Sequence, residues 1–174
     1  MSQPSAAPAD FDFIIGHWTV HHRRLRERLA GCSEWQEFSG SSSTRKILGG
    51  FGNVEDNLLA LPKGEYRAAA LPKGEYRAAA LRSFDPASGQ WSIWWLDARR
   101  PQGLDVPVVG RFAKGIGSFF ADDALDGRPI RVRFLWSVPA SGLPRWEQAF
   151  SADAGQTWET NWTMDFSPAP ADTA

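Results

Sequence analysis

The sequence predicts an all-β fold, an antiparallel up-and-down barrel of about 8–10 strands, on three observations. Apolar and polar residues alternate at period two: Val132, Phe134, Trp136 and Val138 against Arg131, Arg133 and Leu135, and Trp158, Thr160, Trp162, Met164 and Phe166 against Glu159, Asn161, Thr163 and Asp165. Turn signals recur at Asp85-Pro86-Ala87-Ser88-Gly89, Asp126-Gly127-Arg128-Pro129 and Ala152-Asp153-Ala154-Gly155, so consecutive strands are antiparallel neighbours. The block Phe11 to Val20, FDFIIGHWTV, is an aromatic-rich entry followed by Gly16-x-Trp18 and strand-like alternation, which is how many ligand-holding barrels begin. No long helical pattern interrupts, which favours closure over a flat sandwich.

The chain has 174 residues, 43% hydrophobic and 13% aromatic, which fits one domain with a sizeable core. Nine of its residues are Trp, and each buried aromatic removes roughly 150–250 Å² from water. Such rings fill a core or line a cavity. A net charge of -1 gives no field to attract polyanions, so nucleic acid is not an expected partner. MSQPSAAPAD has neither a basic nor an apolar leader region, and no apolar run is long enough to span a bilayer. No membrane association is expected. Cys32 is the single cysteine, which makes a reducing cytoplasm the natural compartment and a plain structural role its natural reading. Residues 1–9 and 167–174 are rich in Ser, Pro and Ala and read as disordered tails around a domain spanning 10–166.

On the first strand Trp18, Val20, His22 and Arg24 share one face, and the apolar pair turns it inward. An inward His22 is a candidate general base or ligand anchor; the alternative is a hydrogen-bonded, inert ring. Metal binding is not expected, since on one strand His17 and His21 lie about 13 Å apart and His22 faces the other way. The run from His21 to Arg28 is basic, fitting either a mouth that attracts a carboxylate-bearing ligand or a solvated strand end. Residues 61–70 and 71–80 are the same ten letters, LPKGEYRAAA. An even insertion preserves facing on the strand that follows, so one copy is expected to be surplus, a loop, hairpin or short helix, with Glu65 to Leu71 having good helix propensity. Asp97 follows Trp91, Ile93 and Trp95 at even spacing; if inward it needs a partner or a raised pKa, the making of a cavity acid or base, and the alternative is a carboxylate near a strand end that simply reaches water. Gln148 between Trp146 and Phe150, and Thr160 between Trp158 and Trp162, interrupt aromatic faces with groups that orient ligands in apolar pockets or satisfy each other.

Residues 151–158, SADAGQTW, resemble the Asp-box of sialidase-type propellers, S-x-D-x-G-x-T-W, which marks a β-hairpin. It occurs once, so only the hairpin is implied, with Ser151, Asp153, Gly155 and Trp158 as turn-builders. Taken together, FDFIIGHWTVHHRRL, LGGFGN at 48–53, GQWSIWWLD at 89–97 and RWEQAFSADAGQTWETNWTMDF at 145–166 resemble a bacterial family of lipocalin-like proteins with an N-terminal FDFxxGxW motif. The resemblance implies a calycin-type barrel with a central pocket and brings no established reaction. The final strand lacks the Arg that true lipocalins pair with the Gly-x-Trp indole, and no C-terminal helix follows. His occurs only at 17, 21 and 22, unlike haem barrels whose His ligand comes late, so no cofactor is implied.

Three functions fit this reading. The first is a barrel that binds a small, mostly apolar or aromatic molecule among Trp18, Trp95, Trp136, Trp146 and Trp162, with His22, Asp97, Gln148 and Thr160 as polar contacts. The second is a cofactor-free isomerase or cyclase in the same pocket, using His22 or Asp97 to move a proton. The third is a solid-cored barrel used for protein contacts. A cavity of roughly 300 Å³ or more separates the first two from the third. A homodimer is compatible with each.

Overall fold

The computed structural model describes residues 6–61 and 74–170. Ten strands form one closed antiparallel ring: β1 (Gly16–Leu25), β2 (Trp35–Ile47), β3 (Gly52–Ala60), β4 (Glu75–Asp85), β5 (Gln90–Asp97), β6 (Val108–Ala113), β7 (Ile116–Leu125), β8 (Arg128–Ser137), β9 (Arg145–Ser151) and β10 (Glu159–Pro168). Every strand pairs with its neighbours in sequence, and β1 closes on β10 from Trp18↔Pro168 to Arg24↔Trp162. This is the up-and-down barrel expected, consistent with a lipocalin-like architecture. Ser167 and Pro168, expected in the tail, extend β10 by pairing with Thr19 and Trp18.

The alternation resolves into two unlike inner walls. β2 to β4 present small or polar groups inward, including Gly40, Ser42, Ala78 and Ala80, while β8 to β10 present Trp136, Trp146, Trp162, Met164 and Phe166. Large rings from one wall occupy the space that small residues leave on the other, which keeps the interior close-packed. Gly40 is needed for this: a Cβ there would stand 2.7 Å from His22 Nε2 and 2.5 Å from the Leu58 carbonyl.

One end is plugged by the segment before β1. A 3-10 turn, Asp12–Ile14, buries Phe11 and Ile14 in the barrel. Phe11 meets Trp91, Phe112 and Trp136 edge-to-face at 5.0, 4.9 and 6.0 Å. Asp10 accepts a 3.0 Å hydrogen bond from Trp91 Nε1, and Trp18 Nε1 donates to the Ile14 carbonyl at 2.9 Å. The FDFxxGxW block is thus a stopper tied to its own first strand.

Behind the plug lies a buried ion pair. Arg82 donates through Nη2 to Glu55 and through Nη1 to Asn53 Oδ1 at 2.8 Å, and Ser42 Oγ donates to the other Glu55 oxygen at 2.6 Å. The guanidinium sits 5.1 Å over both the Phe11 and Trp136 rings.

The opposite end opens because one ladder stops short. β5 pairs with β6 only from Trp91↔Gly110 to Ile93↔Val108, so Trp95 and Asp97 continue beyond their partner. The connection from 98 to 107 crosses the gap, with the Asp105 N–H bonding the Trp95 carbonyl at 2.9 Å.

One expectation changes, and one lies in part outside the described residues. A register shift between Thr160 and Trp162 marks a β-bulge at Asn161. Alternation breaks there, so Thr160, opposite Ala149, faces outward, and Trp158 packs outside against Phe120 (6.0 Å) and Arg133 (4.6 Å). In the duplication, Glu75 to Ala80 of the second copy forms the start of β4, while the hairpin, loop or helix expected of the surplus copy lies outside the described residues.

Candidate functional site

At the open end the barrel encloses a cavity of about 220 Å³. Its deep walls are Ile93, Trp95, Val132, Trp146 and Trp162, with Gln148 as the polar group among them. Trp162 meets Trp146 at 5.6 Å and Trp95 at 6.2 Å, both near-perpendicular, so three indoles form one continuous surface. The cavity falls short of the roughly 300 Å³ that would have separated the two pocket readings outright from a solid-cored barrel, because these rings occupy much of the interior. It nevertheless exceeds the ~150 Å³ known to admit benzene in an engineered cavity, so one or two fused rings fit.

Charge is confined to the rim. Arg24 and Arg28 come from the end of β1 and the loop after it, and Asp97, Arg99, Arg100, Asp105 and Asp123 from the far side. The basic run therefore splits by facing: Arg23 and Arg26 pair outside with Glu37 (3.2 Å) and Glu34 (2.9 Å), whereas Arg24 and Arg28 line the mouth. Arg24 lies over Phe38 and Trp162 at 5.4 and 5.5 Å. Burial, then the neighbouring Arg24, lowers the Arg28 pKa from its ordinary value. Asp105 is pushed up by burial and then by Asp123 and Asp97.

Asp97 reaches this rim but not as the acid with a raised pKa that its spacing allowed. Burial does push it up, but hydrogen bonds from the Arg99 side chain (2.6, 3.0 and 3.1 Å) and backbone N–H (2.8 Å) outweigh that and hold it below the usual carboxylate range. Arg99 in turn stacks 3.8 Å over the Tyr76 ring. Asp97 is an ionised strut of the rim.

His22 is inward, as expected, yet does not line the cavity. It stacks on Phe38 at 4.7 Å, and its Nδ1 accepts a 3.3 Å bond from Trp162 Nε1, which assigns the ring proton to Nε2. Burial, then Arg24 and His21, lowers its pKa to about 3. The ring is a neutral support for Trp162. Because the unfolded chain protonates this His near pH 6.5 and the folded chain refuses the proton until about pH 3, stability is full above pH 6.5 and falls as pH drops. From pH 7 to pH 5 His22 should cost about 2 kcal/mol, seen as a urea-unfolding loss that is smaller by that amount in His22→Gln. Equal losses in both proteins would mean that folded His22 accepts the proton.

Of the residues picked from sequence, Trp95, Asp97, Trp146, Gln148 and Trp162 line the cavity together. Trp136 lines a deeper void of about 20 Å³ with Glu55 and Arg82, adjoining the cavity across Trp95 and Trp146. Trp18 packs on Phe166 at the plugged end (6.3 Å), and Thr160 is outside because of the bulge. Gln148 donates to Asn161 Oδ1 at 2.8 Å, which fixes its orientation from within. Sequence reading missed Tyr76, Phe134 and Met164 as lining residues; the even positions of β4, β8 and β10 carried that signal. The Asp-box reading holds as a hairpin: Ser151 Oγ donates to Asp153 at 2.7 Å, Thr157 Oγ1 donates to it at 2.6 Å, and the Thr157 and Ser151 bonds hold Asp153 at about 2.

No protein-family model matches this chain, and no curated protein matches it.

Proposed function

We propose that this barrel binds one small, mostly apolar or aromatic molecule in its open-ended cavity. The observation that carries this is the joint facing of Trp95, Trp146 and Trp162 onto an unfilled space of about 220 Å³. Apolar surface lining a void is stabilised by any apolar occupant, at about 25 cal/mol per Å² removed from water. Gln148, held by Asn161, supplies the single orienting amide among those walls. The proton-transfer alternative finds less support, since His22 lies off the cavity and Asp97 is engaged by Arg99.

Charged and polar groups such as His17, His21, Glu37, Asp56, Arg77 and Arg131 cover the outward faces of the strands, which supports a barrel working in water rather than one facing lipid. No helix among the described residues is long and apolar enough to cross a membrane, a statement that does not bear on barrels. Cytoplasmic residence and the lipocalin-like kinship remain part of the proposal, supported by the single cysteine and by the closed barrel respectively.

The test is calorimetric titration with a neutral two-ring probe, 2-naphthylmethanol. Saturable one-to-one binding is expected, weakened about tenfold or more by Val132→Phe, which fills the cavity from β8. Binding that is unaffected by Val132→Phe would place the probe elsewhere and defeat the proposal.

A further inference from the structure

We propose that the natural ligand is an aromatic carboxylate whose anionic end is held at the mouth by Arg28; this rests on the pocket reading above and narrows its class. Arg28 lies in the loop after β1 with its guanidinium 5.9 Å over the Phe150 ring, at the boundary between aromatic wall and solvent. Its Nε is buried and without a hydrogen-bond partner, and among the described residues no carboxylate comes within ion-pair distance of it. A guanidinium left without an acceptor at the edge of an apolar cavity is costly, so the part of Arg28 that lines the mouth favours an anionic acceptor.

Several features make that acceptor a planar anion. Arg24, on the same rim, places a second guanidinium beside the first, close enough to perturb it. Guanidinium forks match carboxylates in a bidentate way that a single hydroxyl cannot use. Directly below, Val132, Trp146 and Trp162 offer hydrocarbon and ring faces, with Gln148 the polar group among them, so the rest of the ligand is mostly apolar. The cavity volume limits that body to one or two fused rings.

Acids on the far rim do not reverse this preference. Asp97 is neutralised by Arg99 at 2.6 Å, Asp123 is exposed, where water screens its pull on an ammonium group, and burial with the nearby Asp123 and Asp97 disfavours the charged form of Asp105. The partly buried unpaired cation therefore discriminates more strongly than these acids.

The test is calorimetry near pH 7 on the full chain with 2-naphthoate, 2-naphthylmethanol and 2-naphthylmethylamine, which share a ring system and differ in charge. The carboxylate should bind about tenfold or more tightly than the alcohol, and the amine no better than the alcohol. Arg28→Gln should erase that advantage so that acid and alcohol bind alike, and Arg28→Lys should keep part of it. Far-ultraviolet circular dichroism confirms that both variants retain the barrel. Equal affinity for acid and alcohol in the parent protein, or tightest binding of the amine, overturns the anionic class while leaving the pocket standing. An advantage that survives Arg28→Gln overturns the role of Arg28. Failure of all three probes to bind overturns the pocket reading and this inference together.

Discussion

Arg82→Ala is expected to destabilise the barrel by about 3–5 kcal/mol, the cost typical of leaving a buried charge without its partner. Arg82 and Glu55 have side chains only 2% and 4% exposed, and among the described residues their hydrogen bonds go to Asn53, Ser42 and each other. Removing the guanidinium strands the Glu55 carboxylate in the interior and also takes away the cation lying over Phe11 and Trp136. The double replacement Arg82→Met with Glu55→Leu should lose much less, because a well-packed apolar pair replaces a desolvated ionic one. Urea unfolding of the two single variants and the double gives the coupling. If Arg82→Ala costs under ~1 kcal/mol, Glu55 finds another partner, and the mutual dependence of the buried pair behind the plug is wrong.

Phe11→Ala should cost about 3–5 kcal/mol, as removal of a fully buried aromatic does. The ring is 2% exposed and makes three edge-to-face contacts with Trp91, Phe112 and Trp136 besides stacking on Phe119 at 5.9 Å. It closes the end opposite the cavity, so the variant should bind 2-naphthylmethanol within about twofold of the parent while unfolding at lower urea. Loss of binding in step with stability would mean that plug and cavity are one unit.

How much of this was legible beforehand varied with the physics involved. Period-two alternation fixed the barrel and the inward facing of Trp95, Trp136, Trp146 and Trp162, because one face of every strand had to be buried. The same rule failed at Thr160, since a bulge inserts a residue without any marker in the letters. The helix propensity read at Glu65 to Leu71 falls outside the described residues; the same letters at 75 to 81 are strand, where pairing with β3 and β5 and burial of Tyr76, Ala78 and Ala80 override a weak local preference. Trp18 read as a pocket wall because even spacing gives facing but not height along the barrel, and height is set by which end the N-terminal segment plugs. The Arg82 to Glu55 pair went unread, as two charges 27 residues apart in sequence meet only through the register of β3 against β4.

The most direct test of the central claim is a crystal structure of the protein with 2-naphthoate. The ring is predicted to lie against Trp146 and Trp162 beside Gln148, with its carboxylate about 3 Å from the Arg28 guanidinium. A naphthoate found only on the outer surface, with the three-indole cavity left to solvent at saturating concentration, would contradict it.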